Sequence, residues 1–313
     1  MTTPAISFQN LHKTYAGNVK ALSGLSLDVE RGEFMGLLGL NGAGKTTSIN
    51  VIAGLVLPTS GRVLVHGYNA VQQYRQAHAQ VGIAPQEEAL DASFLNVKQI
   101  LVYQAGYFGI SSRDASRRAD ALLTEFGIWE KRKAKVVELS GGMKRRLILA
   151  KALIHDPPIL ILDEPTAGVD VALRRQIWEK LTALNKSGKT ILLTTHYLEE
   201  AEQLCERIAI IHNGGLVATG SPQELITSVL PDQLEIRTEP PLDAIPDGLK
   251  PFHPRLIEDC LCLQGSLGDA AVMNALFKLT ERGIRLKSVE QKKARLEDVF
   301  IELTTKKDVM SET

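Results

Sequence analysis

Short runs of consecutive apolar residues mark three interior strands along this chain. Phe34–Leu38, Ile159–Leu162 and Thr190–Thr195 are largely hydrophobic from end to end, which is typical of strands buried on both faces of a parallel sheet. Two of these runs lead into segments with helical spacing, Thr46–Ile52 and Glu199–Cys205. Strands that alternate with helices predict an α/β domain.

Other strands are predicted around this centre. Apolar and polar residues alternate in Ile6–Asn10 and Ala21–Glu30, which predicts strands of an antiparallel edge sheet. Ser60–Gly67, which has a glycine near each end, and Val81–Ala84 are also predicted to be strands. The Asn213-Gly214 pair between two apolar runs predicts a hairpin turn, since both residues tolerate positive φ.

The pattern changes twice along the chain. Between about residues 91 and 138 the apolar spacing becomes helical with charged outer faces, which predicts an inserted helical subdomain. Several prolines after residue 228 then mark a domain boundary. We therefore predict a large domain over residues 1–228 and a small α+β domain over residues 229–313. The small domain's predicted elements are the strands Arg255–Gln264 and Ile284–Gln291 and the helices Ala270–Arg282 and Arg295–Thr304.

Composition narrows the function classes. Lys and Arg total 36, as do Asp and Glu, so no net charge favours a nucleic-acid partner. The three cysteines, Cys205, Cys260 and Cys262, have no spacing typical of a zinc site, and we expect reduced thiols. The N-terminus has no signal-like segment, and no run is long enough to span a bilayer. These features predict a cytoplasmic, soluble chain.

Gly39–Thr47 carries the strongest chemical signal. It matches the phosphate-loop pattern G-x-x-x-x-G-K-[ST] at every fixed position. Its glycines let the backbone curl so that N–H groups point at phosphate oxygens. Lys45 adds positive charge for the β- and γ-phosphates, and the Thr46 hydroxyl suits Mg²⁺. The loop stands between a predicted strand and a predicted helix, as this site requires.

Two acidic residues follow a central strand. Asp163 and Glu164 come directly after Ile159–Leu162, and ligands in open α/β sheets bind beyond the C-terminal ends of the strands. We expect both side chains to face the same crevice as the phosphate loop. Asp163 suits Mg²⁺, and Glu164 suits the orientation of an attacking water.

Three further signals are weaker by themselves. Ser140-Gly141-Gly142 stands before an apolar helix, and residue physics fits a second anion site and a simply capped helix equally well. His196 ends a strand and could hydrogen-bond a γ-phosphate, although histidines are common at such edges. Tyr15 could stack on adenine or be an ordinary packing tyrosine.

These segments together point to a family. With the phosphate loop, Leu139–Gly142 and Ile159–Glu164 in one chain, the sequence resembles the ATPase subunit of an ABC transporter. The Ser-Gly-Gly segment separates it from other P-loop ATPases. The resemblance covers roughly residues 5–228, and Leu296–Thr304 resembles the C-terminal end of bacterial drug and antibiotic exporters. It implies a P-loop ABC ATPase fold with a mixed sheet, antiparallel edge strands and a helical subdomain.

The resemblance also implies a role for each matching residue. The residues that it implies for catalysis are Glu164, His196, Lys45 and Gln86. Those that it implies for the metal are Thr46, Gln86 and Asp163. Those that it implies for ATP are Tyr15, Gly39, Asn41, Gly42, Ala43, Gly44, Lys45, Thr46, Thr47, Ser140, Gly141 and Gly142.

Two positions depart from the family pattern. Met143 stands where the family has a glutamine after Ser-Gly-Gly, which removes a polar contact of that side chain. Gly168 departs from the small-residue-leucine pattern of the loop Ala167–Asp170, which in the family communicates across a dimer. Neither change touches the backbone contacts to phosphate.

The resemblance finally implies partners. Two copies would close head to tail around ATP and Mg²⁺, with Ser140 of one copy acting on the nucleotide of the other. A separate transmembrane permease would hold the subunit at the inner face of the membrane. We expect the permease to dock at Gln86–Gln104, a segment that includes Glu87 and Glu88. The aromatic and apolar residues predicted for this surface are Phe94, Leu95, Tyr103, Tyr107 and Phe108. We expect at least half of these five to be core residues of the helical insertion instead.

This reading predicts the ATPase subunit of an ABC exporter, with no nucleic-acid partner. Two alternatives stay open at this point. The first is an importer ATPase with a regulatory C-terminal domain. Neighbouring genes would distinguish it, because a gene for a substrate-binding protein favours import and a gene for a lone permease favours export. A soluble, non-transport ABC ATPase would usually carry two cassettes or long basic or coiled-coil insertions, and this chain has a single cassette.

Overall fold

The computed structural model describes residues 3–86, 94–229, 232–242, 244–246, 249, 252–257, 259–265, 269–292 and 295–311. Contacts divide the chain into two units, Met1–Thr219 and Gly220–Thr313. The sequence-based boundary at residue 228 lies inside the helix Pro222–Val229. The two divisions therefore differ over which domain holds this helix, and the predicted domain limits stay a prediction.

Strands of the first unit form two sheets within the described residues. Their bounds are β1 (Ile6–Tyr15), β2 (Val19–Val29), β3 (Phe34–Leu38), β4 (Ser60–Val65), β5 (Tyr68–Asn69), β6 (Val81–Ala84), β7 (Ile159–Asp163), β8 (Thr190–Thr195), β9 (Arg207–His212) and β10 (Gly215–Gly220). The first sheet is antiparallel and has the order β2-β1-β4-β5. The second has the order β10-β9-β3-β8-β7-β6, and its strands from β9 to β6 are parallel. The predicted interior strands and antiparallel edge strands are confirmed.

Helices of the first unit connect these strands. Their bounds are α1 (Lys45–Ile52), α2 (Tyr74–His78), α3 (Val97–Tyr107), α4 (Ser112–Glu125), α5 (Gly141–Leu153), α6 (Val171–Lys186) and α7 (Leu198–Leu204). The predicted hairpin is present, because β9 and β10 are neighbours and their connection, Asn213-Gly214, has φ of 49° and 75°.

One apolar core joins the two sheets of this unit. Phe8 and Leu25 of the antiparallel sheet, Leu37 and Ile161 of the parallel sheet, and Ile49 of α1 belong to the same buried cluster. Burying a side chain of this size contributes about 1.5–3 kcal/mol each. Because α1 takes part in this cluster, the core holds the start of α1, and with it the phosphate loop, in a defined place.

The inserted helices have clear local causes. The Asn96 side chain accepts a hydrogen bond from the Gln99 backbone N–H at 2.9 Å and forms a capping box at the start of α3. Ser111 caps α4, because its Oγ accepts a hydrogen bond from the backbone N–H of Asp114. Lys98 and Asp120 form an ion pair of 2.7 Å between the two helices. The predicted helical insertion is confirmed for the described residues.

A stack of aromatic rings packs the end of α5 against the end of α3. The ring centroids of Phe108 and His155 are 3.6 Å apart with planes 2° from parallel, and Phe108 also lies 6.0 Å from His78. His155 Nε2 donates to the Val81 carbonyl oxygen at 3.1 Å, whereas Nδ1 is buried with no hydrogen-bond partner in the described part of the chain. Burial lowers the pKa of His155 to about 4.

This histidine should make the protein less stable in mild acid. The unfolded chain takes up a proton near the ordinary pKa of 6.5 and folded His155 only near about 4, so the free energy of unfolding falls as the pH drops through this window. Burial also lowers the pKa of His78, which adds to the slope. When thermal unfolding is measured across this pH range, the free energy of unfolding should fall less with decreasing pH in His155→Gln than in the wild type. Identical slopes in the two proteins would contradict this role.

The second unit is a small α+β structure. Its elements are α8 (Pro222–Val229), β11 (Asp232–Thr238), β12 (Arg255–Ile257), β13 (Cys260–Gly265), α9 (Asp269–Glu281), β14 (Leu286–Lys292) and α10 (Leu296–Ser311). Over the described residues the strands form an antiparallel sheet in the order β12-β13-β11-β14. Its core joins Leu234, Ile236 and Leu261 to Ala275 and Leu279 of α9.

Two elements of this unit differ from the sequence prediction. Strand β11 was not predicted, because its apolar residues Leu234 and Ile236 lie in a stretch whose prolines predict a connecting loop. The predicted strand Arg255–Gln264 is two strands, β12 and β13, which pair antiparallel with Leu256 opposite Leu261. The presence of β11 and the division into β12 and β13 both depend on pairing between strands of the sheet.

Candidate active site

The phosphate loop leads from β3 into α1. Gly44 has φ of 108°, and a Cβ atom there would lie 2.6 Å from the Ala21 carbonyl oxygen, so only glycine fits. Lys45 is buried, and its Nζ donates to the Gly39 carbonyl oxygen at 2.7 Å. Burial lowers the pKa of Lys45, while the charges of Glu164 and Asp163 raise it. Lys45 therefore lies close enough to two acids for their charges to oppose the effect of its burial.

A cleft of about 530 Å³ opens above this loop. It brings together residues that are far apart in the sequence. The residues that line it are Tyr15, Val19, Lys20, Ala21, Asn41, Gly42, Gly44, Lys45, Thr46, Thr47, Gln86, Glu164 and His196. Most of the residues predicted for ATP and all four predicted for catalysis are among them.

Asp163 lies at the end of β7 and is not among the described residues that line this cleft. It is 4% exposed. Its Oδ2 accepts a hydrogen bond from Thr46 Oγ1 at 3.2 Å, and its Oδ1 accepts a short one from Thr194 Oγ1. The two residues predicted to hold Mg²⁺ through a hydroxyl and a carboxylate are thus in direct contact.

Glu164 is held from two sides. Gln86 Nε2 donates to its Oε2 at 2.9 Å, and His196 Nδ1 lies 3.1 Å from its Oε1. The Glu164 side chain is 7% exposed, whereas that of His196 is 44% exposed. Glu164 also has φ of 48°, a conformation that costs about 1–3 kcal/mol in a non-glycine residue. The carboxylate is therefore fixed in the cleft by contacts that its backbone alone would not favour.

The Ser140–Gly142 segment stands apart from this cleft. Among the described residues that line the cleft, none belongs to it. Ser140 caps α5, because its Oγ accepts from the Met143 backbone N–H at 3.3 Å, and it is exposed. A Cβ atom on Gly142 would lie 2.6 Å from Leu173 Cδ2, which gives that glycine a packing reason. The cap is confirmed, and an anion contact at this helix end stays a prediction.

The remaining predicted positions have local roles as well. The buried Ala43 donates its backbone N–H to the Leu40 carbonyl oxygen at 3.1 Å and closes the phosphate loop. Tyr15 is 40% exposed, and Lys13 Nζ lies 4.9 Å from its ring centroid. Asp170 caps α6 through the Leu173 backbone N–H at 2.9 Å. Tyr15 thus lies in the lining of the cleft with its side chain partly exposed.

Arg145 is a site residue that the sequence prediction missed. It is 6% exposed, and its guanidinium donates to the carbonyl oxygens of residues beside the cleft at distances of 2.5 to 3.1 Å. Those acceptors are Pro85, Gln86, Asp163, Glu164 and Pro165. The sequence does contain one signal for its burial, because Arg145 lies on the same helical face as the apolar Leu149, four positions later.

Glu200 was also missed. It is 0% exposed, and its Oε1 accepts hydrogen bonds from Thr166 Oγ1 and Trp178 Nε1, each at 3.0 Å. Burial raises the pKa of Glu200, and these donors oppose the rise. The carboxyl group therefore ties the segment after Glu164 to α6 and to the helix that follows His196. An acid in the first turn of a helix is usually exposed, so the sequence carried no signal for this role.

Comparisons with known proteins place the chain in a family. A family model described as ABC transporter matches residues 22–167. Nod factor export ATP-binding protein I of Burkholderia thailandensis is 41% identical over 305 residues, which cover 97% of this chain and 98% of the relative. The chain belongs to the ATP-binding subunits of ABC transporters. It is the ATPase subunit of an ABC exporter, and it hydrolyses ATP to drive transport.

Solved structures of ABC subunits have the same fold. An ATP-binding subunit of an ABC transporter is 30% identical, has a TM-score of 0.66 and covers 72% of this chain and 93% of its own. A dimeric ATP-binding cassette in a post-hydrolysis state, bound to ADP and Pi, is 26% identical with a TM-score of 0.64 and covers 69% of this chain and 98% of its own. The predicted fold class and the exporter function are confirmed, and ABC ATPases are shown to dimerise.

Proposed function

We propose that Glu164 is the catalytic carboxylate of an ATPase that works as a homodimer bound to a separate permease. The observation that carries this proposal is the placement of the Glu164 carboxylate between Gln86 and His196, in the cleft that also holds Lys45. A carboxylate so held can accept a proton from water that attacks the γ-phosphate. Lys45 would bind the β- and γ-phosphate oxygens, and His196 would donate to the γ-phosphate.

The metal in this proposal is Mg²⁺. Its ligands would be the Thr46 hydroxyl, an Asp163 oxygen reached directly or through water, and the Gln86 side-chain oxygen. These are hard oxygen donors with few carboxylates, which suits an ion that keeps several waters and shares the substrate phosphates. The 3.2 Å contact between Thr46 Oγ1 and Asp163 Oδ2 brings two of the donors together. Mg²⁺ would neutralise charge on the phosphates.

The position of Ser140 supports the homodimer. Ser140 and the adjoining glycines form the start of α5, where helix N–H groups suit an anion, yet they do not line the described cleft of their own chain. A head-to-tail pair would bring Ser140 and Gly142 of each copy to the γ-phosphate bound by the other. The bound nucleotide would then hold the two copies together, and hydrolysis would release them.

The permease surface is proposed on α3 and the residues before it. Phe94, Tyr103 and Tyr107 are 78%, 62% and 72% exposed. At most two of the five residues predicted for this surface can therefore be core, so the expectation that at least half of them are core is wrong. The Tyr103 and Tyr107 rings meet edge to face at 5.2 Å. Glu87 and Glu88, predicted for the same surface, lie outside the described residues. Among the described residues no helix has the length and apolarity to cross a membrane. A permease bound to this surface would hold the subunit at the membrane's inner face.

Membrane pelleting after coexpression with the cognate permease tests this surface. Replacing Phe94 and Tyr107 together by serine should cut the pelleted fraction about tenfold or more, as loss of buried aromatic anchors does in other interfaces, while soluble ATP binding stays unchanged. Leu57→Ser, at a side chain that is 63% exposed, is the matched control and should pellet normally. Normal pelleting of the double variant would exclude this surface, and pelleting of the wild type without a permease would exclude a separate partner.

A further inference from the structure

The Arg145 side chain uses its whole donor set on backbone carbonyl groups. Nε donates to Pro165 at 2.6 Å, Nη1 to Pro85 at 2.7 Å and to Gln86 at 3.1 Å, and Nη2 to Asp163 at 2.9 Å and to Glu164 at 2.5 Å. A guanidinium has five N–H groups in a rigid plane, so every one of them has an acceptor. A flexible ammonium with three donors could not reproduce this pattern.

These acceptors belong to two catalytic segments. One is the segment directly after β6, Pro85-Gln86, and the other begins at Asp163, the last residue of β7, and continues through Glu164 to Pro165. The Glu164 carbonyl bonds to Arg145 while its N–H donates to the Thr194 carbonyl oxygen at 2.9 Å. Both peptide groups of Glu164 are thus anchored, and φ stays at 48°. Arg145 holds the backbone from which the catalytic carboxylate and its Gln86 partner both project.

The same residue is part of the helix that Ser140 caps. Arg145 is five positions after Ser140 on α5, which is about 7.5 Å along a helix axis. An α-helix this short moves as a rigid rod, because its turns are hydrogen-bonded throughout. We therefore expect a shift of the Glu164 turn or of Gln86 that carries the guanidinium with it to displace or tilt the Ser140 end of α5.

We propose that Arg145 is a positioning residue that couples each subunit's own Gln86 and Glu164 to the Ser140 helix end acting on its partner's nucleotide. The coupling to the partner rests on the proposed homodimer, whereas the support of Glu164 requires only one chain. Arg145 itself would touch neither nucleotide nor water. Its effect would appear in turnover and in the cooperation between sites, with ATP affinity little changed.

The first test compares Arg145→Lys with Arg146→Lys. Arg146 is the next residue on α5 and donates to Gln176 Oε1 at 2.9 Å, so its variant is the matched control. For Arg145→Lys, kcat should fall about 10²-fold, since a misplacement of about 1 Å costs that much, with the KM for ATP within about twofold. Arg146→Lys should behave as the wild type. Wild-type kcat in Arg145→Lys, or a loss of kcat and ATP affinity together, would overturn the positioning role.

The second test puts Arg145→Lys into one subunit of a mixed dimer. One subunit of this dimer also carries Lys45→Ala and cannot use the ATP at its own phosphate loop. Only one composite site, built from the other subunit's Lys45 and this subunit's Ser140, then remains active. Arg145→Lys should lower turnover when it is in the subunit that supplies Lys45 and Glu164, and also when it is in the subunit that supplies Ser140. Normal turnover with the second placement would overturn the coupling.

Folding and dimer formation are measured alongside. Arg145→Gln, which keeps a planar amide with two N–H donors, replaces Arg145→Lys if the lysine variant melts early, and early melting of both would show a purely structural residue and overturn the proposal. If wild-type subunits form no ATP-dependent dimer, the proposed homodimer fails and the coupling with it. In that case the effect of Arg145→Lys on single-chain turnover still decides whether Arg145 supports Glu164.

Discussion

Glu164→Gln should keep ATP binding and lose about 10²–10⁴-fold of the hydrolysis rate, the range for removal of a general base. Lys45, Thr46 and Asp163 are untouched, so the groups proposed to hold Mg-ATP remain. The amide has nearly the shape of the carboxylate and can still meet Gln86 or His196, but it cannot accept a proton from water. Binding energy and turnover are thereby separated.

The same variant should accumulate as an ATP-bound dimer. Size-exclusion chromatography with ATP and Mg²⁺ would detect the dimer, while steady-state turnover and nucleotide affinity measure the other two effects. Glu199→Gln changes an exposed carboxylate in the helix that follows His196, and we expect it to turn over as the wild type does. Normal turnover in Glu164→Gln, or a monomer at saturating ATP, would contradict the assignment.

Ser140→Arg should abolish turnover and leave ATP affinity in the single chain nearly unchanged. The arginine would stand at the exposed start of α5, outside the chain's own described cleft, and would block approach to the partner's nucleotide. Loss of the helix cap alone costs about 0.5–2 kcal/mol. Ser111→Arg removes the corresponding cap of α4 and is the control for that cost; it should retain turnover.

Mixing the Ser140→Arg subunit with a Lys45→Ala subunit gives the sharper result. A head-to-tail mixed dimer contains one site with an intact Lys45 and an intact Ser140, and one site that lacks both. Random pairing should therefore restore about a quarter of wild-type turnover, since half of the dimers would carry one of two sites. No recovery would contradict the head-to-tail geometry, and a large loss of ATP affinity in Ser140→Arg alone would place Ser140 in its own site.

The sequence by itself determined the parts of this protein that depend on short, contiguous stretches. The phosphate loop needs glycines, Lys45 and Thr46 in a set order between a strand and a helix, and the structure has that strand and that helix. The apolar run of β7 predicted that Asp163 and Glu164 would reach the same edge of the sheet, because the C-terminal ends of parallel strands meet there. Contiguity and strand direction were enough for both.

Only the tertiary structure decided the contacts between distant segments. The bonds from Gln86 and His196 to Glu164, the five carbonyl acceptors around Arg145 and the burial of Glu200 each depend on where separate elements come together. Backbone carbonyls leave no mark in a sequence, because every residue has one, so an arginine that binds them looks like a surface arginine. Strand β11 lies in a stretch whose prolines predict a loop, and only its pairing with β13 and β14, further along the chain, makes it a strand.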